Sequence, residues 1–226
     1  MRPNLVQTLR MPFASEKLLP KHPVHGFTGC RIATIYHGYA LATNNVAVLN
    51  KQFKPEFRKG RRVRLQAGWD GTKDKDRDSY NQSHVPLIAG AMFKGLPKPS
   101  VHQGSFKDAW DRLDEGFAVS LAVHLPTVCD DDPNSPACRY TKAPHQILLV
   151  DRRFKEGVSE GLVVDPMAPI GDPTAKKLEA YHGHWVRRNV LRKAALAFPT
   201  AEGKAFYELF PIGGWTGKAV KQLAGG

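Results

Sequence analysis

Three side chains of this 226-residue sequence could together carry out nucleophilic chemistry: Cys30, His145 and Asp165. A cysteine attacks as its thiolate, and it needs an imidazole that takes up the thiol proton and later returns it. A third polar group that binds the imidazole keeps the ring oriented. We therefore interpret Cys30 as a candidate nucleophile, His145 as general base and acid, and Asp165 as the residue that orients the histidine.

Each of the three residues has a simpler explanation when it is taken alone. A single cysteine is most often a small buried hydrophobic residue. Asp165 could serve the turn before Pro166, and His145 could be a partly exposed loop residue. Their order along the chain, and their positions at the ends of predicted elements, favour a functional site.

A helix is predicted to begin at Cys30, directly after Gly29. Apolar residues then recur at three- and four-residue spacing until about Ala42, which places them on one face of a helix: Ile32, Ile35, Tyr36, Tyr39 and Ala40. The N–H groups and the dipole at a helix N-terminus favour negative charge. A cysteine at this position is therefore expected to have a lowered thiol pKa.

An antiparallel hairpin is predicted to bring His145 and Asp165 together. Apolar runs at 146–150 and 161–164 flank a polar segment that contains Gly157. Paired strands lie about 5 Å apart. A histidine just before the first strand can therefore form a hydrogen bond with an aspartate just after the second.

Other predicted elements complete an α+β fold. Ser83 and Ser105 can each cap a short helix. Alternating apolar residues predict a strand at 117–125, and helical spacing predicts a late helix at 191–198. The polar, turn-rich stretch 51–82 is expected to be a long surface excursion.

We divide the chain into three parts. Residues 1–24 contain scattered prolines and are predicted to form an extended N-terminal arm, residues 25–198 the folded domain, and residues 199–226 a C-terminal contact arm with a Gly-rich tail. No apolar run approaches the roughly 20 residues of a membrane span, so no membrane span is expected. The first residues also lack the apolar core of a signal peptide.

The chain is strongly basic, with a formal net charge of +12 and a pI of about 9.7. A surface of this charge suits nucleic acid, an anionic cell wall or acidic protein neighbours. No nucleic-acid motif accompanies the densest basic run, so we interpret it as a solvated face and do not expect nucleic acid as a partner. The run consists of Lys51, Lys54, Arg58, Lys59, Arg61, Arg62 and Arg64.

The remaining cysteines and several histidines could support other chemistry. Cys129 and Cys138 bracket an acidic loop and could close a disulfide ring, which leaves Cys30 as the odd cysteine. A metal site could draw on Cys30 with His22, His25 and His37, but the spacing of these residues is irregular. No metal and no cofactor are expected.

The sequence resembles papain-like cysteine peptidases of the C39-like type over residues 24–198. The resemblance is carried, in order, by Gly-Cys at 29–30, Gly-Phe-Ala-Val at 116–119, His-Gln-Ile-Leu-Leu-Val at 145–150 and Val-Asp-Pro at 164–166. It implies a papain-like α+β fold, in which an N-terminal helical part with the cysteine at a helix start packs on a C-terminal antiparallel sheet. It also implies the roles of Cys30, His145 and Asp165 given above.

Within that family, the order of elements and the basic helix at 187–198 look most similar to virion proteins of actinobacteriophages. This similarity implies a place in a phage virion, in the tail or tail tip, after synthesis in the host cytoplasm. The implied partners are other virion proteins in a homo- or hetero-oligomeric assembly, and the bacterial cell wall.

Two positions depart from the pattern of the family. Such enzymes carry a glutamine about six residues before the cysteine as an oxyanion donor, and Val24 stands there in this chain. His25 is the candidate substitute, with Gln7 and Gln103 as alternatives. Arg31 replaces the usual glycine after the cysteine, and a bulky side chain there is expected to crowd the substrate cleft.

These departures leave two functions open. The first is a structural virion protein that keeps the papain-like body with degenerate activity. The alternative is an active cysteine peptidase or amidase that cleaves cell-wall peptides or a phage protein.

Overall fold

The computed structural model describes residues 30–43, 55–56, 58–64, 66, 84–124, 144–166, 184–198 and 202–212. Within these ranges the strands form one antiparallel sheet in the order β1-β6-β2-β3-β4-β5. The strands are β1 (Ser100–Gly104), β2 (Phe117–His124), β3 (Pro144–Lys155), β4 (Val158–Val164), β5 (His184–Arg187) and β6 (Ala205–Pro211).

Helices cover both faces of the sheet, because alternate residues of the central strands are apolar on both sides. Ala118, Leu148 and Val150 face one core, which contains residues of α1 (Cys30–Thr43) and α2 (His84–Met92). Their neighbours Val119 and Leu149 face a second core, with residues of α3 (Phe106–Asp111) and α4 (Arg188–Leu196).

Helix α1 lies deep in the first core, and every residue of it except Cys30 is buried. Gly38 allows the close approach to β6, since a Cβ atom at this position would lie 2.5 Å from the ring of Phe210. The Tyr39 hydroxyl donates a hydrogen bond to the carbonyl oxygen of Pro97 at 2.8 Å. These contacts fix the helix that carries Cys30.

The predicted surface excursion at 51–82 is wrong in part. Residues 55–56, 58–64 and 66 are helical, and Gly60 and Arg64 are buried. These two residues lie four apart and hence on one face of the helix. A Cβ atom on Gly60 would lie 2.9 Å from Ile32 Cγ2, so the missing side chain lets this helical segment pack on α1.

The predicted C-terminal contact arm, residues 199–226, is also corrected. Residues 205–211 form β6, which lies inside the sheet between β1 and β2. Burial alternates between the two cores along this strand, with Tyr207 and Leu209 in one and Phe210 in the other. Residues 1–29, including the predicted N-terminal arm, and 213–226 lie outside the described residues.

Most other predicted elements are confirmed. Ser105 caps α3 in a capping box, in which Ser105 and Asp108 exchange hydrogen bonds of 3.1 Å. The hairpin is present and longer than predicted, and it turns at Glu156 and Gly157 with positive φ angles of 51° and 80°. The predicted fold class, α+β with Cys30 at the start of a helix packed on an antiparallel sheet, is confirmed. None of the described helices is long and apolar enough to cross a membrane.

Candidate active site

The fold brings Cys30, His145 and Asp165 together. Cys30 is the first residue of α1, His145 lies at the start of β3, and Asp165 directly follows β4. Because Leu148 pairs with Val164 across these strands, Asp165 comes level with the start of β3. His145 Nε2 and Asp165 Oδ1 are 2.8 Å apart, and both side chains are buried. The predicted contact between the two residues is therefore present.

The Cys30 thiol forms a hydrogen bond with His145. Since Nε2 of the ring is directed at Asp165, Nδ1 is the nitrogen that meets the thiol. Cys30 itself is a free cysteine of intermediate exposure. The imidazole and carboxylate beside it are shielded from water.

Charge separation between Cys30 and His145 is favoured. Burial opposes ionisation of the thiol. The pKa of Cys30 is nevertheless lowered below its ordinary value by the hydrogen bond and charge of His145, the charge of Arg64 and the backbone N–H of Gln146. Burial likewise opposes protonation of His145, yet the charge and hydrogen bond of Asp165 and the contact with Cys30 raise the pKa of His145 well above its ordinary value. The geometry thus favours a thiolate–imidazolium pair.

Arg64 is a functional candidate that the sequence interpretation missed. It belongs to the basic run assigned to a solvated face, and that assignment holds for Arg58, Lys59 and Arg62, which are exposed. Arg64 is 2 % exposed, and its burial, together with the charge of Arg31, lowers its pKa to about 9. It is therefore a cation at neutral pH within electrostatic range of Cys30. Its four-residue spacing from the buried Gly60, which places both residues on one face of the helix, was the sequence feature that could have indicated its burial.

The Arg31 side chain, which the sequence predicts to crowd a substrate cleft, lies in the protein interior. Its side chain is buried, and Nη2 lies 3.0 Å from Oε1 of Glu208. In the same turn of α1, the Thr34 hydroxyl donates to the carbonyl oxygen of Cys30 at 2.6 Å and lies 3.3 Å from that of Gln146. The first turn of α1 is thus bound to β6 and β3 through the side chains of Arg31 and Thr34.

The oxyanion donor is not one of the described side chains that the sequence nominated. Gln103 is exposed on β1, three strands from β3 and hence about 14 Å away, beyond the reach of a glutamine. Val24, His25 and Gln7 lie outside the described residues. The first N–H groups of an α-helix make no hydrogen bond within that helix, so those at the start of α1, where Cys30 lies, are candidate oxyanion donors.

The structure describes only some of the remaining candidate residues. Cys129 and Cys138, the predicted disulfide, lie outside the described residues, as does His22. His37 is buried in α1. Within the described ranges, His, Cys, Asp and Glu side chains form no group of three or more that could hold a metal ion.

Comparisons with known proteins add little to this geometry. No protein-family model matches the sequence. No curated protein matches it either. A solved structure of a candidate C39-like peptidase from Bacillus anthracis is similar, with a TM-score of 0.47 and 13 % sequence identity over 88 % of this chain and 94 % of that one. A likeness at this level assigns neither activity nor substrate, so the functional argument rests on the arrangement of Cys30, His145 and Asp165.

Proposed function

We propose that this protein is a cysteine hydrolase that cleaves an amide bond through a thioester on Cys30. One observation carries the proposal: His145 contacts the thiol with one ring nitrogen and Asp165 with the other, at 2.8 Å. A buried imidazole that joins a thiol to a buried carboxylate has the geometry needed for covalent catalysis. The order of these residues and the thiol at a helix start also support the papain-like resemblance.

In the first half of the reaction, the Cys30 thiolate attacks the carbonyl carbon and the carbonyl oxygen becomes an oxyanion. The N–H groups at the start of α1 stabilise this charge, with Arg64 as a nearby cation. The His145 imidazolium then donates its proton to the amide nitrogen, the C–N bond breaks, and the amine leaves. The products are a thioester and a neutral His145.

In the second half, His145 takes a proton from water and the resulting hydroxide adds to the thioester carbon. When the C–S bond breaks, the sulfur leaves as a thiolate and the acyl group becomes a carboxylic acid. Asp165 stays ionised and keeps His145 oriented in both halves. The cycle ends in the thiolate–imidazolium state from which it began.

Site-resolved alkylation tests the nucleophile. Iodoacetamide is applied between about pH 4 and pH 9, and the tryptic peptide 22–31, in which Cys30 is the only cysteine, is quantified by mass spectrometry. We expect a thiol pKa below the ordinary value that rises in His145→Ala. His102→Ala, on the distant strand β1, is the matched control and should leave it unchanged. An ordinary thiol pKa that is the same in the unmodified protein and in His145→Ala would falsify the proposal.

Hydrolysis is tested separately with bacterial wall peptides and a fluorogenic peptide library. Cys30→Ala should abolish turnover while the protein stays folded, since a small thiol contributes little to packing. Turnover that persists in this variant would remove Cys30 from the mechanism.

We also propose, from the resemblance to actinobacteriophage proteins, that the protein acts in a phage virion among other virion proteins. Val24 in place of the oxyanion glutamine is compatible with a structural role and weak hydrolysis, because loss of one oxyanion donor costs roughly two to three orders of magnitude in rate. Antibody against this chain should detect it in particles purified from the source lysate. Detection only in the particle-free fraction would exclude this location.

A further inference from the structure

A buried polar cluster lies beside the candidate triad. We call Arg31, Ser120, Gln146 and Glu208 the Glu208 cluster; each of the four is 2 % exposed or less. They come from α1, β2, β3 and β6, and Ser120 pairs directly with Glu208 across the sheet. Four segments distant in sequence therefore meet at this point.

The hydrogen bonds of the Glu208 cluster have a fixed direction. A carboxylate only accepts, so the Gln146 amide must present Nε2 to Glu208 Oε2, at 2.8 Å. The same Nε2 donates to Ser120 Oγ at 2.7 Å. The other oxygen, Oε1, accepts from Arg31 Nη2 at 3.0 Å. Each oxygen of Glu208 thus holds a different element of the fold.

The two residues held by Glu208 are the chain neighbours of the two reacting residues. Arg31 follows Cys30, and Gln146 follows His145. Gln146 also donates its backbone N–H to the Cys30 sulfur. A shift of either neighbour would change the distance between the thiol and the imidazole. One carboxylate therefore controls the backbone on both sides of the reacting pair.

Stability alone is a poor explanation for such a cluster. A buried ion pair loses hydration from both charges, and well-packed apolar residues in its place are often as stable. A buried hydrogen-bonded network instead restricts its surroundings to one arrangement. In this protein, the arrangement fixed is that of α1 against β3.

We propose that Glu208 is a positioning residue, whose two carboxylate oxygens hold Arg31 and Gln146 and thereby fix Cys30 against His145. The inference rests on the proposed function, since it concerns the same thiol and imidazole. It adds a residue from β6 that touches neither the sulfur nor the ring.

Glu208→Gln distinguishes this role from two others, because the substitution keeps the shape and removes the charge. If Glu208 positions the reacting pair, Glu208→Gln should raise the Cys30 pKa. The contacts of the sulfur with His145 and with the Gln146 N–H would loosen, while the sulfur would stay desolvated. A purely electrostatic role predicts the opposite, because loss of a nearby negative charge favours the thiolate. A purely structural role predicts a lower melting temperature and an unchanged thiol pKa.

The experiment is site-resolved alkylation of Cys30 across pH in the full chain, with melting temperature measured in parallel. We expect Glu208→Gln to raise the thiol pKa and to slow alkylation at about pH 6 by roughly tenfold or more, because an ångström-scale displacement is costly at a reacting pair. His145→Ala should then add little in the Glu208→Gln background. A lowered or unchanged pKa in Glu208→Gln would overturn the inference.

Two further variants keep the test decisive. If Glu208→Gln does not fold, Gln146→Met is the alternative variant, because it removes the side-chain amide that Glu208 binds without changing any charge. It should raise the Cys30 pKa in the same way. An unchanged Cys30 pKa in Gln146→Met would reject the inference. Tyr39→Phe removes a buried hydrogen bond about 14 Å along α1 and should lower the melting temperature alone. An ordinary thiol in the unmodified protein would instead count against the proposed function itself.

Discussion

Replacing Asp165 with asparagine keeps the shape of the side chain beside His145 and removes its charge. The two contacting atoms are 2.8 Å apart, so the charge centres lie about 4 Å apart, and at an effective dielectric constant of about 20 their attraction is about 4 kcal/mol. This energy corresponds to about 3 pKa units. We therefore expect Asp165→Asn to lower the pKa of His145 by up to this amount and to raise that of Cys30.

The change has a defined sign in stability as well as in reactivity. Because the folded-state pKa of His145 is raised, its protonation stabilises the fold fully below the unfolded pKa of about 6.5, and this contribution is lost as pH rises through the folded-state pKa. Asp165→Asn removes much of that contribution. The loss in the free energy of unfolding should therefore be largest in mildly acidic solution and should shrink as the solution becomes alkaline.

Three measurements check this prediction. NMR titration reports the pKa of His145, urea unfolding at several pH values reports stability, and alkylation reports the thiol. Asp114→Asn is the control, since Asp114 is an exposed carboxylate that accepts a hydrogen bond from Arg152 at 2.6 Å. If Asp165→Asn leaves the pKa of both Cys30 and His145 unchanged, the electrostatic account of the site is wrong.

Two other substitutions follow from contacts described above. Arg64→Gln removes the buried cation near Cys30, so the thiol pKa measured by alkylation should rise. We expect a rise of roughly one unit, which is the low end of the effect of a neighbouring opposite charge. An unchanged thiol pKa would place Arg64 outside the site. Gly38→Ala forces a methyl group against the ring of Phe210 and should cost about 1–2 kcal/mol in urea unfolding, after the gain in helix propensity. Gly90→Ala is the matched control: its Cβ would meet only Lys98 at 3.8 Å, so it should stabilise by up to about 1 kcal/mol, and equal effects at both glycines would contradict the packing argument.

The triad could be anticipated from the sequence because local patterns determine where its residues lie. Helical spacing after Gly29 put Cys30 at a helix start, and two apolar runs around Gly157 put His145 and Asp165 at neighbouring strand ends. Both inferences depend on segments of about 20 residues or fewer, where hydrophobic periodicity is informative.

The supporting residues could not be anticipated in this way. Whether a charged residue is buried depends on a partner elsewhere in the chain, and Arg31 and Glu208 are 177 positions apart. Strand β6 is an almost continuous apolar run, but it follows a proline and precedes a Gly-rich tail, so it resembled an arm. Its interior place in the sheet arises from pairing with β1 and β2, which no local pattern encodes.

The interior position of β6 also constrains the order in which the protein can fold during synthesis. Residues 205–211 must leave the ribosome before β6 can form and connect β1 to β2. Only then can Phe210 and Glu208 reach α1. Until then the nascent chain presents an unpaired edge of β2, which is prone to intermolecular pairing. Cys30 can thus take its place against the completed sheet only once almost the whole described chain has been made.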